Sequence, residues 1–156
     1  MKVMDILEKK STQVITIQDD ATIHDALGLL VQHRIGAIIV VDNNTKVCGI
    51  ISERDIIREC YHSTDHIQKK PINQIMTKNL IIGAPDDDID YIMGIITNNH
   101  IRHVPIIRDN DLCGIVSIGD IVKAQLHNTK YENHYLKDYI FGPHLPDEGT
   151  QASEKP

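Results

Sequence analysis

The 156-residue sequence has no tryptophan, one phenylalanine and five tyrosines, so aromatic side chains add little to its core. It has no basic run, and 16 lysines and arginines against 22 acidic residues give a formal net charge of −6. Nucleic-acid binding needs clustered positive charge and therefore has no support here. No apolar run approaches the ~18 residues of a membrane span, and the first residues do not resemble a signal peptide. These absences predict a cytoplasmic protein with an aliphatic core.

Cysteines are also few, namely Cys48, Cys60 and Cys113. An odd number without a Cys-x-x-Cys pair argues against a disulfide framework and against a zinc site. Cys48 and Cys113 lie in predicted strands, so we expect both to be small buried hydrophobic residues, with a redox role as the alternative.

One seven-residue pattern occurs twice: Gly, two β-branched residues, Ser, two variable residues and Asp. It reads GIISERD at Gly49–Asp55 and GIVSIGD at Gly114–Asp120. Each copy follows a predicted strand and precedes a predicted helix. Its serine and aspartate therefore lie beside the unpaired N–H groups of a helix N-terminus, a place that suits a small polar ligand.

The first copy ends a series of predicted elements. Val14–Ile17 is a short strand, and Thr22 is the N-cap of a helix whose apolar residues recur at spacings of three and four. Ala37–Val41 is an unbroken β-branched run, which predicts a strand buried on both faces. Val47–Ile51 is the next strand, and Ser52 begins a helix that reaches about residue 60.

The second copy ends a series in the same order. Leu80–Ile82 is a short predicted strand, and Asp87 or Asp88 is the N-cap of the following helix. Further strands are predicted at Arg102–Ile107 and Leu112–Val116, and a helix begins at the motif serine. The two series align at an offset of 66 residues over their first helices.

Neither half is expected to bury enough apolar surface alone. The sequence therefore predicts an α/β (α+β) fold of two β-α-β-β-α units, related by a pseudo-two-fold axis, with two quasi-equivalent pockets in the cleft between them. The units span residues 1–62 and 72–127, with a linker at 63–71.

The tail contains a predicted amphipathic helix at residues 128–142, because its apolar residues recur at helical spacing. This helix could dock on a second subunit, on its own module or on another partner. Residues 143–156 are rich in Pro, Gly, Glu and Gln, which predicts disorder.

Two halves in this order, each ending in Gly-x-x-Ser-x-x-Asp, resemble the tandem CBS-domain pair, or Bateman module. The segments GIISERDI and RHVP, and the tail pattern Glu-x3-Leu-x2-Tyr-Ile-x-Gly, are similar to small stand-alone CBS-pair proteins of bacteria and plant organelles. The resemblance covers about residues 1–127. It implies a non-catalytic, homodimeric regulatory module that binds AMP, ADP, ATP, NAD(H) or S-adenosylmethionine and signals to an unknown partner protein.

The resemblance also implies which residues bind the ligand. Asp55 and Asp120 would each hold two ribose hydroxyls, since a carboxylate has two acceptor oxygens. Ser52 and Ser117 would bond to ribose or phosphate. The other expected contacts are to the adenine edge from Ala37, Ile38, Val104 and Pro105, to the pocket wall from Gln13, Thr77 and Leu80, and to phosphate from Arg54, Arg102, His103 and Arg34.

The two pockets are not expected to be equal. The pocket with Asp120 is expected to fill more readily, because Pro105 and the pair Arg102 and His103 match the binding pattern better than their counterparts in the first half.

Other interpretations of these residues remain open. Ser-x-x-Asp is also the spacing of a capping box, which contributes ~1 kcal/mol; its duplication at matched corners favours ligand binding together with capping. His100 and His103 could suggest a metal pair, but no third ligand is evident, and Asp86–Asp88 is interpreted as a solvated helix N-terminus.

No nucleophile–base pair or Walker loop stands out, so no catalytic residue or metal site is assigned. The alternatives to a ligand-binding regulator are a CBS pair that has lost its ligand and only dimerises or docks, and an enzyme that acts on a nucleotide.

Overall fold

The computed structural model describes residues 1–10, 13–63 and 66–127. The predicted helix at 128–142 and the tail at 143–156 lie outside the described residues. Both halves of the repeat belong to one compact unit, Met1–Ile121, and a second unit begins at Val122. None of the helices formed by the described residues is both long enough and apolar enough to cross a membrane.

The described elements follow the predicted order except for the first strand of the second half, which is absent. The first half contains α1 (Val3–Lys10), β1 (Thr16–Gln18), α2 (Ile23–His33), β2 (Ala37–Val41), β3 (Val47–Ser52) and α3 (Glu53–His62). Two 3-10 turns follow, at Ile67–Lys69 and Ile72–Gln74. The second half contains α4 (Ile89–Asn98), β4 (His103–Arg108), β5 (Asp111–Ser117) and a helix, α5, at residues 118–127.

The first half builds a three-stranded sheet in the order β1-β2-β3. β1 is parallel to β2, and β2 is antiparallel to β3. All five residues of β2 are buried, which confirms the prediction from its unbroken β-branched run. Thr22 is the N-cap of α2, also as predicted, and it forms a complete capping box with Asp25.

The second half pairs only β4 with β5, so the strand predicted at Leu80–Ile82 is wrong. What remains is an isolated parallel bridge from Gly83 to Ile106, at the positions that correspond to Ile17 and Val40 in β1 and β2. Glycine is a weak strand former and has no side chain to pack, which explains why the pairing does not extend. Asp88 is the N-cap of α4, but its side chain makes no cap hydrogen bond.

The entry segment of each half is the stretch before its first strand position, namely the described residues before Thr16 in the first half and residues 66–82 in the second. Each entry segment contacts the opposite half. In the first half, the backbone N–H of Ile23 donates to the carbonyl of Lys70, and in the second half that of Ile89 donates to the carbonyl of Met1. The same exchange recurs at the two motif glycines. A Cβ on Gly49 would lie 2.6 Å from the Sδ of Met76, and a Cβ on Gly114 would lie 2.6 Å from a Cδ of Leu7. This reciprocal packing expresses the pseudo-two-fold relation within Met1–Ile121.

One prediction about the cysteines is wrong. Cys113 is exposed, whereas Cys48 is partly buried. Burial raises the pKa of the Cys48 thiol. Cys113 lies on the face of β5 opposite to the buried residues Gly114 and Val116.

Candidate functional site

Each copy of the motif forms a corner between a strand and a helix, from β3 into α3 at Ser52 and from β5 into α5 at Ser117. These two motif corners have matching local geometry. The Ser52 Oγ–H and backbone N–H both donate to Asp55 Oδ2, at 2.6 and 2.8 Å, and the Asp55 N–H returns a bond of 3.4 Å to Ser52 Oγ. Ser117 and Asp120 repeat these bonds at 2.7, 2.8 and 3.2 Å. Each corner is therefore a complete capping box, which holds the carboxylate at the start of a helix.

The Asp120 carboxylate differs from that of Asp55 because it also binds a cation. Lys10 Nζ donates to Asp120 Oδ2 at 2.8 Å and to the carbonyl of Ile115 at 3.1 Å. Burial acts to raise the pKa of Asp120, but the hydrogen bonds from Lys10 and Ser117 outweigh it and lower the pKa below its usual value. Within the described part of the chain, no residue forms an ion pair with Asp55.

A cavity of about 420 Å³, the Lys10 cavity, opens beside the second corner. Its apolar walls come from Leu7, Val14, Ile15, Ile35, Ala37, Cys113, Gly114 and Ile115, and its polar lining from Lys10, Gln13, His33, Arg34, Gly36, His103 and Ser117. The motif serine of the second half thus lies among residues from the entry segment and the middle strand of the first half.

A second cavity of about 550 Å³, the Asp55 cavity, opens beside the first corner. It is lined by Gly36, Ile50, Ser52, Glu53, Arg54, Asp55, Arg58, Thr77, Asn99, His100, Ile101, Arg102, His103, Ser117, Ile118 and Gly119. Three of these residues are arginines and two, Glu53 and Asp55, are carboxylates, whereas the Lys10 cavity is lined by Lys10 and Arg34 without a carboxylate. Arg54 is held by a bond of 3.3 Å from its Nη1 to the carbonyl of His100.

The two cavities share a wall formed by Gly36, His103 and Ser117. A Cβ on Gly36 would lie 3.3 Å from Cε1 of His103, so the glycine leaves room for the imidazole. Burial lowers the pKa of His103, with help from the charges of Lys10 and Arg102, while Asp120 and Glu53 oppose the shift. The shared wall therefore favours the neutral imidazole.

The predicted site residues separate into three groups. The Asp55 cavity is lined by Ser52, Arg54, Asp55, Thr77, Arg102, His103 and Ser117. The Lys10 cavity is lined by Gln13, Arg34, Ala37, His103 and Ser117, and Asp120 bonds to both Lys10 and Ser117. Leu80, Ile38, Val104 and Pro105 line neither of the two cavities. The last three are buried in β2 and β4, where the cores of the halves form.

The predicted grouping of these residues needs a correction. The sequence interpretation joined Asp120 with Arg102, His103 and Pro105 of its own half. In the structure Arg102 lines the cavity of Asp55, because each entry segment and middle strand faces the motif of the opposite half. The grouping of Arg102 with Asp120 is therefore wrong, whereas His103 lines both cavities, and the order in which the pockets fill stays a prediction.

Sequence reasoning also missed Lys10. This residue is 110 positions from Asp120, and it belongs to no motif, so only the crossing of α1 to the second half could have indicated it. Among the described residues, no group of three or more His, Cys, Asp or Glu side chains lies close enough to hold a metal ion.

The duplicated order and the paired corners define a module of two tandem domains, and the comparisons agree. The CBS-domain family model matches residues 3–62 and 72–127. The chain therefore belongs to the CBS-domain family, with a tandem pair of domains, and the resemblance noted in the sequence is confirmed.

Individual relatives share both sequence and fold. The chain is 36% identical over 127 residues to the mitochondrial CBS domain-containing protein CBSX3 of Arabidopsis thaliana, covering 79% of this chain but only 62% of that protein. The crystal structure of ATU1752 from Agrobacterium tumefaciens is similar with a TM-score of 0.77 and 36% identity, over 80% of this chain and 92% of the other.

A second similar structure contains ligands. The CBS domain pair of protein MJ0100, in complex with 5′-methylthioadenosine and S-adenosyl-L-methionine, has a TM-score of 0.71 and 31% identity, over 83% of this chain and 98% of the other.

Proposed function

We propose that this chain is a regulatory module that binds an adenosine-containing ligand in the cleft between its CBS domains and signals occupancy to a partner protein. The observation that carries this proposal is the Asp55 cavity, which places two carboxylates, two serines and three arginines around one space. The ligands in the similar MJ0100 pair, both built on adenosine, support the same ligand class.

The ribose would bind at the carboxylate. Ser52 donates both of its hydrogen bonds to Oδ2 of Asp55. Oδ1 of Asp55 is then the acceptor for a ribose hydroxyl, and a neighbouring hydroxyl of the same ribose shares the carboxylate. A vicinal diol fits this group because one carboxylate has about four lone-pair positions.

Phosphate groups would bind at the arginines. Arg54, Arg58 and Arg102 line the same cavity, and guanidinium groups bind phosphate bidentately. S-adenosylmethionine carries a sulfonium cation, which the arginines would repel. Among the predicted ligands, we therefore propose the phosphate-bearing AMP, ADP, ATP and NAD(H) ahead of S-adenosylmethionine.

A partner or a second copy of the chain would dock on exposed apolar helix surface. Tyr61 and Ile57 on α3 have 86% and 67% of their surface exposed, and Val31 on α2 has 75%. Such a surface is consistent with the proposed homodimer and with transmission to a partner. The proposed location is the cytoplasm, although the Arabidopsis relative is mitochondrial.

The second candidate function is a CBS pair that dimerises without a ligand. The ion pair of Lys10 with Asp120 and the two capping boxes favour it, because they satisfy the motif side chains from within the chain.

A thermal-shift series on nucleotide-stripped protein separates the two functions. We expect stabilisation by AMP, ADP or ATP and none by GMP. At about 100 times Kd the gain is about 2.7 kcal/mol, or roughly 5–10 °C in Tm for a chain of this size.

Asp55→Asn should reduce the shift. Asp25→Asn is the matched control, because Asp25 has the same capping-box bonds with Thr22 but lines neither cavity. Absence of a shift with every adenosine compound would favour the ligand-free function.

A further inference from the structure

The chain supplies its own cation to one of its two ribose-binding carboxylates. Lys10, the last residue of α1, reaches across to the second half and bonds to Asp120 Oδ2 and to the carbonyl of Ile115. Both partners of the ion pair are well shielded, with 32% and 21% of their side chains exposed.

At the first corner, the entry segment contacts the motif strand through its backbone instead of through a lysine side chain. The backbone of Thr77 exchanges two hydrogen bonds with Ile50, at 2.9 and 3.0 Å. Ile115 is the counterpart of Ile50, and its carbonyl receives the lysine side chain instead. The entry segment of the first half thus places a cation on Asp120, whereas no cation among the described residues forms an ion pair with Asp55.

This difference affects ligand binding directly. A ribose hydroxyl is a neutral donor, whereas an ammonium group forms a charge-assisted hydrogen bond of roughly twice the strength. Oδ2 of Asp120 already accepts three donors, two from Ser117 and one from Lys10, whereas Oδ2 of Asp55 accepts only the two from Ser52. A ribose diol that spans both oxygens of Asp120 must therefore displace Lys10. A ligand that uses Asp55 displaces no ion pair.

We propose that Lys10 is a built-in competitor for Asp120, so that an adenosine ligand fills the Asp55 cavity first and the Lys10 cavity only at higher concentration. This inference rests on the proposed function and reverses the order expected from the sequence. It also makes α1 the element that responds to the second ligand, because release of Lys10 removes one of the contacts that tie α1 to β5.

The test is isothermal titration calorimetry of nucleotide-stripped protein with AMP. We compare wild type with Lys10→Met, which keeps the side-chain length and removes the charge. The matched control is Lys9→Met, because Lys9 is exposed on the same helical turn. Lys10→Gln is a second variant in case the methionine impairs folding.

Wild type should show one tight and one weak site for each chain. In Lys10→Met the weak site should tighten roughly ten- to hundred-fold, the range expected for loss of a competing charged hydrogen bond. Lys9→Met should match wild type.

An unchanged second site in Lys10→Met and Lys10→Gln would overturn the inference and leave the proposed function intact. A weakened second site would also overturn it, because Lys10 would then be a ligand contact. Absence of AMP binding in every variant would overturn the inference, and absence of a thermal shift with every adenosine compound would overturn the proposed function as well.

Discussion

The two halves fill the same core position with different side chains. In the first half, Ile17 of β1 belongs to a buried cluster with Ala26 and Val40. In the second half the corresponding residues are Gly83, Ile92 and Ile106. A Cβ on Gly83 would lie 2.6 Å from Cδ1 of Ile92 and 3.0 Å from Cδ1 of Ile106.

The large side chain is therefore on the strand in the first half and on the neighbouring helix in the second. Where the helix carries alanine, the strand carries isoleucine and pairs over three residues; where the helix carries isoleucine, the strand carries glycine and shrinks to one bridge. Tight packing leaves no room for both large residues. The hydrogen bonds of the two motif corners still match, because the corners lie at the ends of β3 and β5 and not on the first strand of each half.

The largest predicted effect comes from reversing this exchange. Gly83→Ile should reduce the free energy of unfolding by about 1–3 kcal/mol or more through overpacking, and Ile92→Ala by about 2–5 kcal/mol through a cavity. Together they recreate the arrangement of the first half, so the double variant should be more stable than the sum of the two changes predicts, by about 0.5–3 kcal/mol. Urea unfolding measures all three, and strict additivity would contradict the proposed exchange.

A smaller effect compares the two motif glycines. The Cβ in Gly49→Ala would meet Met76 and also lie 3.1 Å from the backbone oxygen of Thr77, whereas the nearest atoms in Gly114→Ala all belong to the Leu7 side chain. Backbone moves less readily than a side chain, so Gly49→Ala should cost more, within the range of about 1–3 kcal/mol for overpacking.

Gly94→Ala is the control for these glycines. It has no atom within 4 Å of the new Cβ, and it should stabilise α4 by about 1 kcal/mol or less. Equal costs at Gly49 and Gly114 would show that the carbonyl of Thr77 is not a fixed wall.

The smallest predicted effect concerns His103, whose counterpart in the first half is Ala37. Its folded pKa is lowered, so its stabilising contribution is complete above the unfolded value of 6.5 and is lost as the pH falls through the folded value. In wild type the free energy of unfolding should fall between pH 7 and pH 5, and His103→Gln should make that fall shallower. The other eight histidines are common to both proteins, so a parallel pair of pH profiles would argue against a buried neutral His103.

Local patterns were sufficient to predict most of the fold. The β-branched run Ala37–Val41 and the Ser-x-x-Asp spacings depend on neighbouring residues, and the structure places them as predicted. The strand predicted at Leu80–Ile82 does not form because its pairing depends on Gly83. The side chains of Ile92 and Ile106, from other elements, fill the space that a larger residue at this position would need.

The site could be predicted only in part. Ser52, Asp55 and Ser117 were identified because the motif is local and duplicated. The grouping of residues into cavities was wrong because each entry segment crosses to the opposite half, which no local pattern records. Lys10 was missed for the same reason, since its partner is 110 positions away.

The most direct test of the account is a crystal structure of the chain grown with one equivalent of AMP. We expect AMP in the Asp55 cavity, with its ribose on Asp55, its phosphate among Arg54, Arg58 and Arg102, and the bond from Lys10 to Asp120 intact. AMP in the Lys10 cavity with the Asp55 cavity empty would contradict the account.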